Sequence, residues 1–158
     1  MDTVPDFEDI LYLLEKHKVK YLIIGGLAFI YHAKPRYTKD MDLLVGPSPN
    51  NIKQANAALA EFGSPFLLNN KDIKNILQIG LPPNRIDILL KIPGVLFDSA
   101  WEKRVAGYYG KTKVNWIDID SLIRAKKNLP HPRHQEDVRI LLQVKKLRNK
   151  NPLKVPSS

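Results

Sequence analysis

The stretch YLIIGGLAFIYHAKPRYTKDMDLLV, residues 21–45, decides how the rest of the chain is read. Tyr21 to Ile24 is a short β-rich run. It ends at Gly25-Gly26, and Leu27 to His32 reads as a helix opening directly off the glycines. Glycines at such a junction allow a tight turn and let a phosphate approach the backbone amides. The new helix adds its positive end and free N–H groups. Asp40-Met41-Asp42 then leads into a second strand, Met41 to Val45. Alternate residues of a strand point the same way, so the two carboxylates project together. Close carboxylates repel unless a cation lies between them, and Mg²⁺ favours one or two carboxylates plus substrate phosphates. The stretch therefore suits a magnesium nucleotide held against a glycine turn.

A third carboxylate, Asp87, sits in Arg85-Ile86-Asp87-Ile88-Leu89-Leu90. If Ile86 and Ile88 face the core, Asp87 faces the other side of the sheet. A carboxylate in an apolar strand needs a partner. A shared metal site supplies one, and a salt bridge to Arg85 is the alternative.

Around these segments the pattern is mixed. Phe7, Ile10, Leu11 and Leu14 share one face of a helix over residues 6–17. Gly46, Pro47 and Pro49 close the second strand, and Ser48 or Asn50 caps a helix to about Phe62. Ile76 to Ile79 and Ile86 to Ile92 read as strands joined by Pro82, Pro83 and Asn84. A short helix follows over residues 97–103, then a strand pair at Val105 to Tyr109 and Val114 to Ile117. Asp118 or Asp120 starts a helix through Lys127, and a last helix covers about Gln135 to Arg148. This order predicts an α/β (α+β) mixed sheet flanked by helices, with a helical C-terminal end from about residue 118. Residues 1–150 are read as one domain and residues 151–158 as a disordered tail.

The 158 residues are enough for a single core. There is no cysteine, which excludes disulfides and cysteine-ligated zinc and fits a reducing compartment. The acidic start MDTVPDFEDI lacks a signal-peptide layout, and the longest apolar run is too short to span a bilayer. A cytoplasmic protein with no membrane partner is expected. The formal net charge is +9, and the last 21 residues carry Arg139, Lys145, Lys146, Arg148, Lys150 and Lys154 with no acid. Such a tail is either a solvated helix end or a contact for RNA or DNA phosphates.

Gly25-Gly26, Asp40-x-Asp42 and Asp87 together resemble the nucleotidyltransferase superfamily, the DNA polymerase beta-like fold. Three further stretches resemble a small toxin-like, abortive-infection-type branch of it. They are Arg36-Tyr37-Thr38-Lys39-Asp40, the run Ile86 to Arg104 with Pro93-Gly94, Phe97 and Trp101, and Leu122-Ile123-Arg124-Ala125-Lys126 followed by Gln135-Glu136-Asp137. The chain departs from that pattern at His131-Pro132-Arg133-His134, where a Gly-Arg-x-Lys loop is usual.

The resemblance implies transfer of a nucleoside monophosphate from a nucleoside triphosphate to an acceptor hydroxyl. Asp40, Asp42 and Asp87 would act as catalytic ligands of Mg²⁺ or Mn²⁺ in a two-metal arrangement. Gly25 and Gly26 would hold phosphates, and Lys126 is a further phosphate contact or a salt-bridge partner. Arg36 and Lys39 either neutralise phosphate charge or are surface cations. The histidines His32, His131 and His134 lack mutual ligand spacing and read as structural or exposed. Trp101 and Trp116 read as core anchors. The acceptor, whether small molecule, protein or RNA, is not encoded in a short motif. The small size of the chain fits a homodimer or a partner protein that completes the cleft, and the resemblance to toxin-like members implies an antitoxin-like partner. Two other classes stay open: a non-catalytic nucleotide-binding or regulatory domain, and a basic RNA- or DNA-binding module.

Overall fold

The β-rich runs pair into one sheet whose order brings the acidic segments side by side. The computed structural model describes residues 2–151 apart from Asn70, residues 72–75 and Pro82. The expected tail from 152 onward, and Pro82 of the expected turn, lie outside the described residues. The elements are α1 (Pro5–Lys16), β1 (Tyr21–Ile24), α2 (Gly25–His32), β2 (Met41–Val45), α3 (Pro49–Phe62) and β3 (Leu77–Ile79). They continue with β4 (Ile86–Leu89), α4 (Phe97–Glu102), β5 (Val105–Tyr109), β6 (Thr112–Trp116), α5 (Ile119–Lys127) and α6 (Pro132–Lys150).

The sheet order is β3-β4-β2-β1-β6-β5. β1 runs antiparallel to β2 and parallel to β6. β2 runs parallel to β4, while β3 and β5 are antiparallel edge strands. This is the mixed sheet with flanking helices that the pattern predicts. Every residue of β1 is buried, so both its faces are covered. One helical group is α1 with α3, and the other is α2 with α5 and α6. The periodic residues Phe7, Ile10, Leu11 and Leu14 of α1 all enter the core. Trp116 is fully buried and stacks on Tyr31 with ring centroids 4.4 Å apart.

Local chemistry sets the boundaries. Ser48 caps α3 by accepting from Asn51 N at 3.2 Å, with Pro49 in the first turn. Asp118 caps α5 by accepting from Ser121 N at 3.1 Å. Several boundaries differ from expectation by one to three residues, and three of them bear on the cleft. α2 begins at Gly25, so the glycine pair forms its first turn. β4 ends at Leu89, because Pro93-Gly94 turns the chain back and leaves Ile92 in an isolated bridge to Val95. α6 begins at Pro132, capped by the ring of His131, whose Nδ1 accepts from Arg133 N at 3.1 Å. A histidine followed by proline reads as loop in sequence, yet proline suits the first turn of a helix.

Buried Asn51 holds the β1 and β2 ends together. Its Oδ1 accepts from Lys20 N at 2.8 Å, and its Nδ2 donates to Lys20 O at 3.0 Å and Gly46 O at 2.9 Å. Removing the amide leaves the part-buried Lys20 N–H and the buried Gly46 carbonyl without this partner, each worth about 1–3 kcal/mol. Asn51→Ala is expected to lower unfolding free energy by about 2–4 kcal/mol, read from the midpoint of urea unfolding at constant slope.

Candidate active site

The β2–β4 register sets Asp42 directly opposite Asp87, on adjacent parallel strands. Asp40 lies just ahead of β2 and meets the start of β4, where Arg85 N donates to its Oδ1 at 3.3 Å. Three acids from two distant segments thus converge at one end of the sheet. Arg85 lies among them. Its Nε donates to Asp87 Oδ1 at 2.8 Å and its Nη2 to Asp87 Oδ2 at 3.0 Å, while Nη2 also stands 3.4 Å from Asp40 Oδ2. Of the two partners considered for Asp87, Arg85 is the one bonded to it, with Asp42 beside it across the strand pair. Asp42 is left out of this fork. Burial, then the neighbouring Asp87 carboxylate, pushes the Asp42 carboxyl up to about 7.

The glycine turn closes directly on these acids. Gly25 has φ +66°, and a Cβ built there would lie 2.2 Å from Asp42 Oδ2. A Cβ on Gly26 would lie 2.7 Å from Thr38 Oγ1. Only a residue without a side chain lets the first turn of α2 sit this close to both segments.

A cleft of about 510 Å³ opens over this junction. All eight residues singled out from the sequence line it: Gly25, Gly26, Arg36, Lys39, Asp40, Asp42, Asp87 and Lys126. Arg36 and Lys126 reach it as a pair held by one buried acid on α6. Asp137 Oδ1 accepts from Arg36 Nη1 at 2.6 Å, and its Oδ2 accepts from Lys126 Nζ at 2.8 Å. Asp137 and Lys126 are 2% and 3% exposed. Burial tends to raise the Asp137 carboxyl, but its hydrogen bonds from Arg36 and Lys126 outweigh this and hold it below its ordinary value. Burial draws the Lys126 ammonium below its ordinary value, against the pull of Asp137. Two cations against one acid leave this part of the cleft lining net positive.

Other residues line the cleft beside these eight: Lys91, which the sequence reading passed over, and Arg133 and His134 of the stretch that departs from the family pattern. Lys91 continues the alternation Asp87, Leu89, Lys91, and all three line the cleft. Extending the period-two pattern of β4 would have found it. Arg133 and His134 reach the cleft from the first turn of α6. His134 is half-buried and its Nδ1 has no hydrogen-bond partner. Burial, then Lys126, lowers its imidazole below the ordinary value. His32 is structural, as expected: it is buried, with Nε2 donating to Ile117 O at 2.6 Å and Nδ1 accepting from Arg148 Nη2 at 3.2 Å. Trp101 is half-buried under the Arg104 guanidinium, 3.9 Å from its ring centroid.

The basic tail is partly occupied within the chain. Lys145 pairs with Asp120 at 2.7 Å, Arg139 pairs with Glu136, and Arg148 bonds His32. Among the described residues, no helix is long and apolar enough to cross a membrane.

Sheet, helices and cleft together define the nucleotidyltransferase fold, and solved structures of that fold superpose over almost the whole chain. The lincosamide antibiotic adenylyltransferase LnuA, lincomycin-bound, is 17% identical with a TM-score of 0.59, covering 90% of this chain and 98% of its own. The antibiotic-resistance factor ANT(2'')-Ia is 16% identical with a TM-score of 0.55, covering 95% of this chain and 92% of its own. An antigenic nucleotidyltransferase-like protein from Paracoccidioides brasiliensis is 12% identical with a TM-score of 0.52, covering 92% of this chain and 78% of its own. No family model and no curated protein sequence matches the chain.

Proposed function

We propose that the chain is a nucleotidyltransferase, transferring a nucleoside monophosphate from a nucleoside triphosphate to an acceptor hydroxyl. The observation that carries this reading is the Asp42–Asp87 register beside a glycine turn that a single Cβ would fill. The donor set suits a hard divalent cation: three carboxylates at one end of adjacent strands, one of them raised to about 7 by burial and a like-charged neighbour. Among the described residues no three acids or histidines stand ready in metal-coordinating geometry. Arg85 spans two of the three carboxylates.

Asp40, Asp42 and Asp87 would hold Mg²⁺ or Mn²⁺. Such ions, when bound as a pair, stabilise the attacking and leaving oxygens of an in-line displacement. The chain supplies the rest. Gly25 and Gly26 amides and the end of α2 receive the outer phosphates. Arg36 and Lys126, aimed by Asp137, and Lys39 neutralise their charge. The acceptor hydroxyl forms a bond to the α-phosphorus as the bond to the pyrophosphate oxygen breaks. Asp87 draws the hydroxyl proton, and pyrophosphate leaves towards the cationic part of the lining. The stretches 36–40, 86–104 and 122–137 favour the toxin-like branch, and the acceptor is a small molecule, a protein or an RNA.

The test uses nucleoside triphosphates labelled at the α- or the γ-phosphorus. They are incubated with the protein, Mn²⁺ and separated RNA, protein and small-molecule fractions of a cell extract. Label passing to one fraction from the α- but not the γ-position supports the reading. Transfer from the γ-position alone, or no triphosphate binding by calorimetry with Mn²⁺ present, overturns it.

Gly25→Ala tests the turn itself. A side chain at positive φ costs about 1–2 kcal/mol, and this one also meets Asp42. The variant is expected to lose that much stability and to bind Mn²⁺-nucleotide more weakly than wild type, both read by calorimetry.

A further inference from the structure

We infer that Arg85 is a tethered counter-cation that competes with divalent ions for Asp40 and Asp87, so that metal and triphosphate load together rather than metal first. The inference rests on the reading of the acidic triad as cation ligands. Arg85 engages Asp87 through both Nε and Nη2, at 2.8 and 3.0 Å, the two-pronged geometry that makes guanidinium–carboxylate pairs strong. The same Nη2 lies 3.4 Å from Asp40, and the Arg85 backbone N–H bonds that carboxylate too. Every Asp87 oxygen thus already accepts a hydrogen bond from Arg85. A cation approaching the triad meets these oxygens in use.

The side chain is nevertheless free to leave. It is 27% exposed, on the cleft wall, with no other carboxylate bonded to it among the described residues. What it lacks is an alternative anion. A triphosphate in the cleft provides one, because a guanidinium pairs with phosphate as it does with carboxylate. Ligand exchange then balances: the divalent ion takes the carboxylates and the guanidinium takes a phosphate. If the released conformer is populated at about 10% or less, metal alone binds at least about tenfold more weakly than to an unobstructed triad. Nucleotide removes that penalty. By linkage, metal and nucleotide each tighten the other.

The experiment is calorimetric titration of Mn²⁺ into wild type and Arg85→Gln, each with and without a non-hydrolysable triphosphate. Melting temperatures are recorded in parallel. Wild type is expected to bind Mn²⁺ weakly alone and at least about tenfold more tightly with nucleotide. Arg85→Gln is expected to bind Mn²⁺ alone more tightly than wild type, with the nucleotide effect reduced. Without metal, Arg85→Gln leaves three carboxylates facing one another and melts lower. A larger Mn²⁺-induced rise in its melting temperature than in wild type supports the inference even where the metal-free variant is too unstable to titrate. Arg85→Lys, which keeps the charge but not the fork, is expected to fall between. If Arg85→Gln binds Mn²⁺ alone no more tightly than wild type and gains no more in melting temperature, the inference fails while the metal reading stands. If neither protein binds Mn²⁺ even with nucleotide, the metal reading itself fails.

Discussion

Asp42→Asn is expected to make the metal-free protein more stable at pH 8 while removing its divalent-cation response. The carboxyl is raised to about 7 by burial and by Asp87, from an ordinary 3.8. Below pH 3.8 it is protonated in both folded and unfolded chains, and no penalty exists. Between 3.8 and about 7 the unfolded chain ionises first, so wild-type stability falls as pH rises. Above about 7 the full penalty is present, at most about 4 kcal/mol. Asparagine carries no such penalty. The stability difference between variant and wild type should therefore be small near pH 4 and grow towards pH 8, as followed by urea unfolding without metal. Adding Mn²⁺ should raise the wild-type melting temperature and leave that of the variant nearly unchanged. Transfer activity should drop by more than about 100-fold, since even groups that only support a ligand cost 10–100-fold when lost. A variant that keeps its Mn²⁺ response would remove Asp42 from the ligand set, and one whose pH curve parallels wild type would overturn the raised carboxyl.

The second large effect belongs to Asp137. Asp137→Ala strips the shared partner from Arg36 and Lys126 and leaves an almost fully buried ammonium without a counter-charge. Loss of one side of a buried pair costs about 3–5 kcal/mol, a large part of the stability of an ordinary domain. The double variant Lys126→Met with Asp137→Leu removes the pair together and is expected to be the more stable of the two. The order of the two urea midpoints decides this point. Asp137 is held below its ordinary carboxyl value. Its contribution is present above the unfolded value and disappears as pH falls through the lower folded one. Both variants should therefore show a shallower acid limb than wild type.

The sheet and the acidic triad were readable in sequence because both depend on short-range periodicity. Glycines between a β-rich run and a helical one mark a turn, and alternation fixes which side Asp40, Asp42 and Asp87 face. Lys91 was within reach of the same rule. The link from Asp137 to Arg36 was not, since 101 residues separate them and only the packing of α6 against α2 brings them together. Arg133 and His134 were named in the sequence as a departure from the family pattern, but their place on the cleft was hidden by the start of α6, where His131-Pro132 reads as a break but acts as a cap and first turn. Arg85 was visible as a partner of Asp87, yet its second reach, to Asp40, follows from the β2–β4 pairing.

Arg148 gives the end of the chain a role that its charge conceals. Its Nη2 donates to His32 O at 3.1 Å, and the His32 ring in turn bonds Ile117. α2 is thereby fastened at its far end by the last helix, while its near end is the glycine turn. Trimming the chain before Arg148 to lower its pI would cut a strut of the helix that opens on the glycine turn, whereas a fusion partner appended beyond Asn151 leaves that strut whole.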